Sequence, residues 1–179
     1  MRIIRLSLVA AALALSASGP SAQTSGFLPL TPMDRIEIQH LIARYAYALD
    51  SGGRNGYDYA DLFTPDGVFV GMNQGPAGRS YRGRDTLASL ARGGARNPNY
   101  VSHFITNVVL EATPGGARGT EYAIIGDFGA NGSTDGKWTH GGRYEDTYVK
   151  TPDGWRFKTR TYRPGHRVPG GADSLLPKR

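Results

Sequence analysis

The spacing of apolar residues changes once along this chain, and that change restricts the folds open to it. Up to about residue 92 the apolar positions recur mainly at helical spacing, whereas beyond Tyr100 they alternate. Ile38, Leu41, Ile42, Tyr45 and Leu49 define one face of a helix over about 33–51. Thr31, Pro32 and Asp34 supply its start signals, and the Gly52–Gly53 pair its stop. A short second helix is expected over Tyr57–Phe63, halted by Thr64, Pro65, Asp66 and Gly67, with Val68–Val70 as a strand after it. A third helix is expected over Asp85–Arg92, with Leu87, Leu90 and Ala91 inward. Four alternating runs follow, Val101–Ala112, Ala117–Gly126, Trp138–Val149 and Trp155–Tyr162, separated by turn residues as in an antiparallel meander. Helices first and long hairpin strands afterwards make this an α+β fold with helices covering one sheet face.

The chain of 179 residues has room for one sizeable core, so one domain is expected. Residues 1–22 have the pattern of a secretory signal: Arg2 and Arg5, an apolar run from Leu6 to Leu15, then mostly small residues up to Ala22. That run is about half of the roughly 20 residues needed to span a bilayer. Export to the periplasm or beyond is expected, with cleavage near Ala22 and no stable membrane anchor afterwards. Residues 23–31 form a polar leader, 32–163 the folded domain, and 164–179 a loose tail in which no chemistry is expected. There are no cysteines, which excludes disulfides, thiolate catalysis and cysteine metal sites. The formal charge is +6, of which Arg2 and Arg5 supply two, and the remaining surplus is scattered without a basic block. Nucleic acid is therefore not an expected partner.

Four phrases in order, Arg44–Asp50, Asp61–Gly67, Ser102–Asn107 and Gly142–Asp146, resemble the SnoaL-like family of the nuclear transport factor two-like superfamily. The likeness runs from about Met33 to Tyr162. It implies a cone-shaped α+β barrel, in which N-terminal helices pack on a curved antiparallel sheet and enclose a small-molecule pocket. It also implies a homodimer, since members commonly assemble through the outer sheet face. Scytalone dehydratase, one member, is similar at two points: its aspartate near the end of the first helix matches Asp50, and its histidine in a His-Phe-Ile stretch matches His103. Leu49 replaces the tyrosine that precedes that aspartate, and the serine and asparagine late in its sheet fall near Gly141 and Arg143.

The chemistry of these residue types supports a site. A neutral imidazole, with an unperturbed pKa of about 6.5, can take a proton near neutral pH and return it to a leaving hydroxyl, which suits elimination of water. Asp50 is the natural partner of His103, because a carboxylate on one ring nitrogen fixes the tautomer and leaves the other as the base. At about 100° per residue Asp50 lies roughly 120° from the centre of the apolar helix face, beside Ala43 and Ala46. Three further residues are candidates for substrate binding. Tyr45 could donate from its phenol, although an aromatic at helical spacing also serves as core. Asn107 is expected on the same strand face as His103, against a reading as an edge residue. Arg143 could bind an enolate or carboxylate, against a surface ion pair; His140 falls on the opposite face of its strand unless Gly141 and Gly142 form a bulge. Arg156, Lys158 and Arg160 are expected to form a solvated or interfacial stripe opposite Trp155 and Phe157.

The four histidines, His40, His103, His140 and His166, form no metal-binding motif, and no phosphate loop, dinucleotide fingerprint or nucleophile elbow occurs. No metal and no cofactor are expected. The function expected is a lyase (dehydratase) or isomerase acting on a small hydrophobic, oxygenated ring compound. A non-catalytic exported binding or interaction module of the same fold is the alternative.

Overall fold

The first helix begins with a reciprocal cap. The Thr31 hydroxyl accepts the backbone N–H of Asp34 (3.1 Å), and the Asp34 carboxylate accepts the Thr31 N–H (3.0 Å) and hydroxyl (2.6 Å). In the computed structural model, which describes residues 28–71, 78–130 and 136–165, helix α1 spans Pro32–Ser51 and ends on Gly52 in the left-handed conformation (φ 61°). Asp34 does more than cap: its other oxygen accepts the Lys150 ammonium (2.7 Å) and the Trp155 indole N–H (3.1 Å). The start of α1 is thereby tied to two strands far away in sequence. The expected signal segment 1–22, residues 23–27 of the leader and 166–179 of the tail lie outside the described residues.

A tight turn over Gly53–Gly56 leads to α2 (Tyr57–Ala60), and α3 spans Arg84–Gly94. Gly56 sits at φ 88°, and a Cβ there would collide with the Ala88 backbone, so the turn can lie directly against α3. Helix α2 is shorter than its sequence suggests. Its chain leaves the helix because the Leu62 carbonyl accepts the Phe157 N–H (2.9 Å) and Phe63 pairs with Phe157, opening strand β1 (Phe63–Gly71). The turn residues Thr64–Gly67 fall inside β1 as an irregularity between Phe63 and Val68. A short polar strand, β2 (Arg79–Arg82), pairs antiparallel with β1 and was not anticipated, because it has no apolar alternation.

The four long strands stand close to their expected bounds: β3 Val101–Thr113, β4 Gly116–Asp127, β5 Lys137–Thr151 and β6 Gly154–Pro164. The strand order is β2-β1-β6-β5-β4-β3. The meander is antiparallel as expected, but β1 lies parallel to β6, so the sheet is mixed rather than wholly antiparallel. Three helices pack on this strongly curled sheet, which forms a half-barrel.

Three one-residue irregularities change which way side chains point. Along β3 the pairing shifts between Thr106 and Val109; along β5, between His140 and Trp138; and along β6, Phe157 and Thr159 pair with consecutive residues of β5. Each extra residue reverses the inward parity of the strand beyond it. Aromatic side chains then fill the end of the half-barrel nearest the start of α1: Phe157 lies 5.7 Å from Tyr45, 5.2 Å from Phe63 and 5.3 Å from Tyr148, centroid to centroid.

Replacing Asp34 by Ala removes the side-chain half of the capping box and leaves the buried Trp155 N–H without its acceptor, so it should cost about 2–4 kcal/mol in urea unfolding. These hydrogen bonds, Lys150 first, hold the Asp34 carboxyl well below its usual 3.8. The contribution is therefore present above about pH 4 and is lost as the pH falls from there toward the depressed value, and the variant should lack that acid-sensitive component.

Candidate functional site

Strand β3 is the last in the sheet, so alternate backbone N–H groups on its outer side have no neighbouring strand to receive them. The last turn of α1 supplies an acceptor for one. Asp50 Oδ2 accepts the His103 backbone N–H (3.0 Å), and Asp50 Oδ1 lies 2.5 Å from His103 Nδ1. An ionised carboxylate only accepts, so the contact assigns a proton to Nδ1, and in the neutral imidazole it is Nε2 that carries the lone pair. Both side chains are 17% exposed, at the boundary between protein and open cleft. The off-face position of Asp50 on its helix now has a reason: the apolar face of α1 lies on the sheet, and a residue on its flank reaches the edge strand.

His103 lines a cavity of about 320 Å³ whose wall includes Leu49, Phe69, Leu90 and Ile125 and the tyrosines Tyr45, Tyr81, Tyr144 and Tyr162. Tyr45 is fully buried, and its hydroxyl lies 3.4 Å from that of Tyr144. Burial pushes both phenols well above their ordinary range, so they remain protonated and able to donate.

Under these two rings lies Arg160, with no exposed surface. Its guanidinium carbon is 3.9 Å from the Tyr45 ring centroid, 3.7 Å from that of Tyr144 and 4.7 Å from that of Phe157. Two carboxylates face it: Asp146 at 3.0 Å, which also accepts the Tyr148 hydroxyl (2.7 Å), and Glu121 at 2.8 Å, close but poorly aligned for a hydrogen bond. Desolvation opposes the charge on Arg160, but Asp146 and Glu121 outweigh it and the guanidinium stays cationic. Burial pushes the Glu121 carboxyl up to about 9, against the pull of Arg160 and with a further push from Asp146. Burial raises the Asp146 carboxyl as well, and one cation facing two buried carboxyls is balanced when the pair shares a single proton.

The expected site residues divide. His103 and Tyr45 line one cavity, and Asp50 stands behind His103, lining the neighbouring space instead. Asn107 does not share the His103 face: it is the bulged residue, exposed, at φ 56°. Beyond it Leu110, not Val109, turns into the core. Arg143 is also removed from the cavity, because its neighbour Tyr144 points inward and alternation sends Arg143 to the other sheet face. There it binds Glu145 (2.8 and 3.0 Å), which also accepts from Arg163 (3.1 Å). No extra residue occurs at Gly141–Gly142, where the pairing with Ile124 and Ala123 is regular; the irregularity falls at Thr139.

The stripe expected over Arg156, Lys158 and Arg160 is broken by the β6 bulge, which turns Arg160 into the core. A signal for this was present. Trp155 and Phe157 are at odd positions and Tyr162 is at an even one, so three core aromatics cannot share a face of an unbroken strand. For metals, no group of three or more His, Asp or Glu side chains able to hold an ion occurs among the described residues.

The sequence model described as the SnoaL-like domain matches residues 33–161. No curated protein matches the chain by sequence. Among solved structures, a Mycobacterium tuberculosis protein of unknown function is 27% identical with a TM-score of 0.64, over 79% of this chain and 82% of that one. An NTF2-like protein with a cystatin-like fold from Novosphingobium aromaticivorans is 24% identical (TM-score 0.63, 78% and 85% covered). A candidate scytalone dehydratase from the same organism is 21% identical (TM-score 0.62, 75% and 85% covered).

Arg160→Met strands two buried carboxyls and should destabilise the fold by about 3–5 kcal/mol in chemical unfolding, with partial recovery when Glu121→Gln and Asp146→Asn are added. The Glu121–Asp146 pair holds a proton when folded that it releases in the ordinary carboxylate range when unfolded. Its contribution is therefore complete below about pH 4.5 and lost as the pH rises toward 9, and Glu121→Gln should flatten that decline.

Proposed function

We propose, from the premise that this chain belongs to the SnoaL-like family, that it is a cofactor-independent lyase or isomerase acting on a hydrophobic, oxygenated ring compound. The observation that carries the reading is the 2.5 Å contact between His103 and Asp50 at the wall of an apolar cavity floored by two phenols. His103 Nε2 takes a proton from the carbon beside a substrate carbonyl, and the C–H electron pair moves into an enolate. Tyr144, which stays protonated, donates to the enolate oxygen, and Tyr45 donates to the Tyr144 hydroxyl behind it. Asp50 keeps Nδ1–H in place and balances the imidazolium. In a dehydration, the enolate re-forms the carbonyl, the C–O bond of a β-hydroxyl breaks and His103 returns its proton to that oxygen, which leaves as water. In an isomerisation the same proton returns to another carbon. Export through residues 1–22 and a homodimer belong to the same reading.

The test is a panel of cyclic β-hydroxy ketones and enones, followed by absorbance of the conjugated product and by mass for loss of water. Wild type should convert at least one member, and His103→Ala and Asp50→Asn should each lower kcat about 10²–10⁴-fold. Undiminished turnover in His103→Ala defeats the acid/base role. Saturable binding across the panel with no conversion favours the alternative, a binding module of the same fold.

A further inference from the structure

The cavity described above adjoins a second one. Leu49, Leu90 and His103 line both: the inner chamber of about 320 Å³ and an outer compartment of about 480 Å³. The outer compartment is bounded by the end of α3 and the segment leading into β3, including Ala95, Asn97, Pro98 and Tyr100. The side chains common to the two are a pair of leucines and the imidazole, so on the leucine side nothing polar separates them. Leu49 and Leu90 are only partly buried, because each faces open space on either side. A ligand part that passes between them meets hydrocarbon and needs no hydrogen bond there.

The polar groups are placed elsewhere. The inner chamber has the phenols of Tyr45 and Tyr144 at its floor. In the outer compartment, Asn99 Nδ2 is already bonded to Asp127 (3.0 Å), and Asn97 Oδ1 accepts the Asn99 N–H (3.1 Å). Asp50 also lines this compartment, with both carboxylate oxygens taken by His103, and the apolar part of the wall is that of Leu49, Leu90, Ala95, Pro98, Tyr100 and Val101.

We infer that the two compartments together take one elongated ligand: an oxygenated aromatic head in the inner chamber, joined to an aliphatic tail that passes Leu49 and Leu90 into the outer compartment. This rests on the reading of the inner chamber as a ligand site and adds the shape and chemistry of the ligand. Leu49 and Leu90 are then specificity-determining residues: they set the width of the passage and hold the scissile region of the head beside His103.

The n-alkyl esters of 4-hydroxybenzoic acid, from methyl to heptyl, are suitable probes, with Kd read by calorimetry or by tyrosine fluorescence. Once the chain reaches the leucines, each methylene buried should tighten binding by about three- to fourfold. Asn97→Trp and Pro98→Trp each fill the outer compartment from its exposed rim without touching the inner wall. Both should abolish the gain for the long esters while leaving the methyl ester within about twofold of wild type. A Kd independent of chain length in wild type, or a gain that survives both variants, overturns the two-compartment ligand while leaving the inner chamber intact. Failure of every ester, the methyl one included, removes the inner chamber as a ligand site and the proposal with it.

Discussion

Arg160 is the charge around which the interior is arranged. Its guanidinium lies under the rings of Tyr45 from α1, Tyr144 from β5 and Phe157 from its own strand, and it faces carboxyls from β4 and β5. An unpaired charge at zero exposure would cost several kcal/mol, so these partners are required once Arg160 is inside. Supplying them brings α1, β4, β5 and β6 to one point. The same packing fixes the heights of Tyr45 and Tyr144 and so forms the floor of the cavity. The filled aromatic end and the open end of the half-barrel are in this sense two sides of one arrangement.

The candidate site depends on a second constraint, the unpaired outer edge of β3. An edge strand offers backbone donors that a helix flank can use, and Asp50 takes one while holding the imidazole next to it. A single carboxylate therefore sets both the backbone position and the ring orientation of His103. Preorganisation of this kind suits general acid/base chemistry, because neither group must be reoriented when the proton moves.

The helix starts and stops, the four long strands and the family resemblance were legible because they depend on local signals: capping residues, glycine turns and apolar period. The His103–Asp50 pair was legible through the resemblance, although helical phase alone placed Asp50 off the buried face. Arg160, Glu121, Asp146 and Tyr144 were not read as a group, since each belongs to a different position of β4, β5 or β6 and only the register brings them together. Asn107 and Arg143 were assigned to the cavity from strand proximity and resemblance, and the observed parity of their strands excluded them.

By itself, the sequence determined the bounds of α1 and, to within a few residues, those of α3 and the four long strands, and that helices would cover one face of a hairpin sheet, because those outcomes are settled within a few neighbouring residues. Tertiary structure decided which side chains face inward on the long strands. One extra residue at Asn107 in β3, and another at Lys158 in β6, each reverse the facing of everything beyond them. Such an insertion costs little locally and is fixed only by what the strand must pair with. For that reason the buried arginine and the floor of the cavity belong to the fold as a whole rather than to any one segment.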